Sequence, residues 1–62
     1  LEINVMTIQF NNKNDMWDFV DAFLLTNYSD NNRTFILVLH EQELTDSQRE
    51  ALNNTFFGKI TQ

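Results

Sequence analysis

The chain contains no cysteine. Disulfides and thiolate zinc sites are therefore excluded. Its single histidine, His40, is too little for a closed structural metal site. Its single glycine, Gly58, leaves no loop in which backbone amides could cradle a nucleotide phosphate. Basic residues are scarce as well. Lys13, Arg33, Arg49 and Lys59 face nine acids, for a net charge of −5. Phosphate-backbone binding needs clustered Lys and Arg, so direct nucleic-acid binding is not expected. No apolar run approaches the roughly 18 residues of a membrane span. No basic segment followed by an apolar stretch marks a signal peptide. The expectation is a cytoplasmic, intracellular protein with no membrane contact, no metal and no cofactor.

The 62 residues allow one small domain, 1–62. A chain this short buries only about 60% of the surface its unfolded form exposes. Small domains commonly rely on disulfides, a metal or a partner subunit, and the first two are absent here. Good packing or oligomerisation remains. A hydrophobic fraction of 42%, with six phenylalanines, is too apolar for a disordered tail. Leu1 is not a methionine, whereas Met6 opens "MTIQF". Residues 1–5 thus read as an alternative start, the end of a trimmed fragment, or a remnant preceding Met6.

Residues 1–10, "LEINVMTIQF", read as a strand. Leu1, Ile3 and Val5 alternate on one face, then Met6, Ile8 and Phe10 on the other. The phase slips at Val5–Met6, which implies a bulge or a strand that starts near residue 5. Residues 13–27 fit a helix, with Asn12 or Asn14 as its cap and Asp15 in the first turn. At about 100° per residue, Met16, Phe19, Val20, Phe23 and Leu24 form one stripe. Asp15, Asp18 and Asp21 lie opposite, with Leu25 among them and Trp17 at the margin. "SDNNR" reads as a turn.

The run "TFILVLH" (34–40) has the pattern of a strand buried on both faces. A second helix follows near 45–57. There Thr45 and Gln48 match a capping box, and Leu44, Ala51, Leu52 and Phe56 form the apolar stripe. Gly58 reads as its stop. Phe57 points away from the stripe and either covers the helix end or meets a partner. The expected fold is α/β or α+β: a small β-α-β-α unit with principal strands at about 5–10 and 34–40. A crossover helix between them suggests a right-handed parallel pair. Two strands make an inadequate sheet. The sheet then continues across a homodimer, receives a partner's strand, or gains extra pairing from residues 1–5.

Two constellations could carry function. In parallel units ligands gather at the carboxyl ends of strands, which here bear Asn12, His40 and Glu41. An imidazole beside carboxylates can do acid–base work; equally, His40 can end a strand beside solvated acids. No catalytic motif accompanies it, so an enzyme is not expected. The second constellation is the helix face with Asp15, Trp17, Asp18, Asp21 and Leu25. A tryptophan beside acids and an exposed leucine suits a basic protein partner, while a solvated outer helix face has the same composition.

The stretches "NKNDMWDFV" (12–20) and "FILVLHEQ" (35–42) resemble barstar-type ribonuclease inhibitors. The resemblance implies a small acidic α/β protein that plugs a basic nuclease with helix carboxylates. It places Trp17 and Asp18 at the contact, while Asn14 stands where the family often has an acid. The function expected from the whole is a small acidic interaction module. It would inhibit or modulate a larger protein, such as a nuclease or another basic protein that handles nucleic acid. A homodimeric assembly module is the alternative.

Overall fold

A computed structural model describes residues 5–61. The elements run β1 (Val5–Gln9), α1 (Lys13–Ala22), β2 (Tyr28–Asn31), β3 (Ile36–His40), α2 (Asp46–Asn54) and β4 (Lys59–Ile60). The expected alternation of Leu1, Ile3 and Val5 lies largely outside the described residues.

The strands form one antiparallel sheet in the order β2-β3-β1-β4. Each helix joins two parallel strands with a third strand between them. This is the split β-α-β arrangement of the ferredoxin-like topology. The architecture is α+β, and the expected parallel pairing of the two principal strands is overturned. Val5 lies opposite His40 and Gln9 opposite Ile36, so β1 and β3 run in opposite directions. The reason is an unexpected strand. The segment "YSDN" pairs with β3, so α1 crosses to β2, and β3 returns from it as a hairpin. Residues 32–35 make the turn, so the first three residues of "SDNNR" are strand and only the last two are turn.

Register sorts the sheet into two sides. Met6, Ile8, Leu37, Leu39 and Ile60 point to the helices. There they meet Met16, Phe19 and Val20 of α1 and Leu52 of α2 in a single core. Phe19 is its centre, with ring centroids of Phe10, Phe23 and Phe56 at 5.8, 5.3 and 5.4 Å. Fully burying such a side chain is worth about 1.5–3 kcal/mol. The other side of the sheet carries Thr7, Gln9, Ile36, Val38 and His40, all only half-buried. Strand β3 is therefore buried on one face and not on both.

Both helices are shorter than their periodicity suggests. Asn12 caps α1, its side-chain oxygen accepting from the Asp15 amide at 2.8 Å. The capping box of α2 is present, with Gln48 N–H to Thr45 Oγ1 at 3.1 Å and Thr45 N–H to Gln48 Oε1 at 2.9 Å. Helix α2 ends at Asn54, four residues before Gly58. The glycine serves space instead. A Cβ there would collide with Leu52 and stand 2.9 Å from Phe10 Cε1.

The left-handed backbone positions fall on other residues: Leu24, Asn27, Phe35, Glu41 and Phe57 all have φ between 50° and 59°. Among the described residues no helix is long and apolar enough to cross a membrane.

Candidate functional site

The acidic side of α1 forms as its periodicity requires. Three turns of helix put Met16, Phe19 and Val20 into the core and leave Asp18 and Asp21 exposed. Asp15 is partly engaged at home. Its amide receives the Asn12 cap, and its Oδ2 accepts from Asn12 Nδ2 at 3.2 Å. Asp15 and Asn12 thus form one local capping unit at the start of the helix.

Trp17 is half-buried and also bound internally. Its indole N–H donates to Asn32 Oδ1 at 3.1 Å, and Asn32 Nδ2 donates to Asp30 Oδ2 at 3.2 Å. Its ring meets Tyr28 edge-on, with centroids 6.1 Å apart. The indole thus braces α1 against β2 and the following turn. Sequence reasoning had no access to Asn32 or Asp30, because a residue-to-residue bond from helix to hairpin needs β2 to exist.

The two leucines at the helix end exchange their expected places. Leu24, expected in the core stripe, is 84% exposed. Leu25, expected beside the acids in water, is half-buried against the core. The cause is a Schellman termination. Leu24 N–H donates to Asp21 O at 3.3 Å and Leu25 N–H to Val20 O at 3.0 Å. This motif requires a left-handed residue, usually glycine, followed by an apolar one that folds back onto the helix. Leu24 takes the left-handed position at φ 50°, and Leu25 is the residue that folds back. Helical projection does not apply past Phe23, so it inverted the pair.

Asn12, His40 and Glu41 do not assemble into one site. Antiparallel pairing sends the end of β1 and the end of β3 to opposite ends of the sheet. Four steps along the strand lead from Val5, opposite His40, to Gln9, which is about 14 Å.

His40 does gain a partner that sequence spacing could not reveal. Its Nε2 lies 2.8 Å from Ser29 Oγ on the side of the sheet without helices. Ser29 pairs with Val38, so it is the diagonal neighbour of His40. A serine hydroxyl on imidazole Nε2 is half of a nucleophile–base arrangement. Among the described residues no hydrogen bond orients the other ring nitrogen.

Glu41 is exposed at φ 54°. The neighbouring Gln42 donates to the carbonyls of Thr26 and Asn27 at 2.6 and 3.1 Å, tying the β3–α2 linker to the α1–β2 loop.

Elsewhere, a shallow groove on the outer side of α2 is lined by Ser47, Glu50, Ala51, Asn54 and Thr55. Among the described residues no polar or charged side chain is buried. No group of three metal-ligating side chains comes together there either. The polar chemistry of this fold is at its surface.

The split β-α-β topology hosts many unrelated functions and so assigns none. Comparison with protein-family models, curated proteins and solved structures found no match for the chain.

Proposed function

We propose that this chain is a small acidic binding module, not an enzyme, and that it modulates a larger basic protein by occupying its surface. The contact runs along the outer face of α1, from Asp18 through Asp21 to Leu24. The observation that carries this reading is Leu24. A leucine 84% exposed at φ 50° stands where a glycine would fit without strain. Non-glycine residues held in such conformations gather at functional positions. Here the strained leucine follows Asp21 by three residues, just past the end of the helix that exposes Asp18 and Asp21.

The net charge of −5 supports a basic partner. The carboxylates would stand in for phosphates on a nuclease or another nucleic-acid-handling protein, as the likeness to barstar-type inhibitors implies for Asp18. Trp17 contributes through the exposed part of its ring, since its N–H is engaged with Asn32. Asp30, bonded to the same asparagine, extends the anionic surface toward the sheet edge.

Capture from an extract of the source cells at low salt tests the reading. Wild-type chain is compared with an Asp18→Asn/Asp21→Asn double variant, and recovered proteins are quantified by mass spectrometry. A basic protein enriched by the wild type and lost with the variant is expected. Equal recovery by both chains refutes the proposal.

A further inference from the structure

Among the described residues three large apolar side chains are exposed: Val5, Leu24 and Phe57, at 42%, 84% and 58%. Val5 opens β1, at the limit of the described residues. Leu24 and Phe57 have more in common. Each lies just past the C-terminal end of a helix, beyond Ala22 of α1 and Asn54 of α2. Each has left-handed backbone, at φ 50° and φ 56°. Each directly follows a phenylalanine, and those two phenylalanines, Phe23 and Phe56, meet edge to face with centroids 6.2 Å apart. The helix ends therefore touch, and an exposed apolar residue follows each.

Folding accounts for neither side chain. A bulky residue on left-handed backbone is strained, and glycine is the usual occupant at a helix end. The chain's one glycine is the next residue, Gly58, where it makes room for Leu52 and Phe10. Neither Leu24 nor Phe57 belongs to the core or to the half-buried side chains packed on it. Strain that serves no packing points to a use outside the fold.

Charge limits the partner. Residues 14–32 hold Asp15, Asp18, Asp21 and Asp30 and no lysine or arginine. Helix α2 carries two acids, Asp46 and Glu50, against Arg49. Lys59 follows Phe57 closely, but it pairs with Gln9 and so points to the side of the sheet without helices.

We propose that Leu24 and Phe57 are paired apolar anchors for a basic amphipathic segment of another protein. The apolar side chains of that segment meet the two helix ends, and its lysines or arginines meet Asp18 and Asp21. This rests on the binding role proposed for α1 and adds to it the apolar half of the partner and a contact after α2. Part of the affinity is then hydrophobic and survives salt, while the carboxylate part is screened.

Two synthetic peptides of about three helical turns serve as probes. One repeats Leu-Lys-Lys-Leu. The other has serine for leucine at the same charge. Isothermal titration at high salt should show the wild-type chain binding the leucine peptide at least about tenfold more tightly than the serine peptide. That binding should carry a negative heat-capacity change. Leu24→Gly and Phe57→Gly should each reduce the preference several-fold, and the double variant should bind both peptides alike. Glycine suits both backbone positions, so the fold is kept. Leu24→Asn and Phe57→Asn, polar and also at ease there, should repeat the result.

Asp18→Asn/Asp21→Asn should weaken both peptides at low salt and leave the preference for leucine intact. Binding unweakened by that change overturns the role of α1 and this proposal with it. A wild-type chain that binds both peptides alike overturns this proposal alone, as does a preference unmoved by the glycine changes.

Discussion

The indole N–H of Trp17 donates to Asn32 Oδ1 at 3.1 Å, joining the middle of α1 to the turn that follows β2. The bond makes the only tryptophan a brace between helix and hairpin as well as a neighbour of the acidic ridge. Trp17→Phe keeps most of the ring and loses the donor, so unfolding free energy should fall by about 0.5–1.5 kcal/mol. Asn32→Ala should cost a similar amount, and the double variant less than the sum. Urea denaturation followed by circular dichroism measures all three. Strictly additive losses would show that the bond does not couple the two residues.

Leu24 and Leu25 should respond with opposite signs. Leu24→Gly relieves a left-handed backbone at φ 50° and removes a side chain that packs on nothing. It should stabilise the fold by about 1 kcal/mol. Leu25→Ala removes the apolar contact that closes the same motif and should destabilise by about 1–2 kcal/mol. Thermal unfolding of the two variants side by side decides it. Equal destabilisation by both would contradict the Schellman assignment.

These two leucines also mark where the sequence stopped being legible. The stripe Met16, Phe19, Val20 is periodic and legible, as are the Thr45–Gln48 box and Asn12 as one of two cap candidates. Each depends on neighbours within one turn. The helix end was not, because no glycine announces it and the left-handed position falls on leucine. Strand β2 was hidden by its composition. "YSDN" lacks β-branched residues, and it pairs only because β3 offers an edge. Without β2 the chain looked like a parallel unit, and the ligand site expected from Asn12, His40 and Glu41 went with that error. The acidic ridge of Asp18 and Asp21 was legible because exposure on a helix follows from spacing alone.

Gly58 should prove intolerant for lack of space. Gly58→Ala drives a methyl into Leu52 and against Phe10 and should cost about 1–3 kcal/mol. The double variant with Leu52→Ala should lose less than the sum of the two single losses, since the two changes share one volume. A Gly58→Ala chain as stable as the wild type would show that the core yields there freely.

The Ser29–His40 pair should matter to the sheet and not to binding along α1. His40→Ala removes a cross-strand bond of 2.8 Å and should lower stability by about 0.5–1.5 kcal/mol. Retention of the captured protein on the column should be unchanged. Loss of that retention with an intact fold would move the functional site from the helix to the sheet.

The central claim is that α1 binds a basic protein through Asp18, Asp21 and Leu24. Titration of the captured protein into the wild-type chain and into Asp18→Asn/Asp21→Asn, at low and high salt, tests it most directly. The account expects the variant to bind at least about tenfold more weakly at low salt. It also expects the wild type to lose most of its advantage at high salt, as screened charge pairs do. Equal affinity of the two chains, or an affinity indifferent to salt, would contradict it.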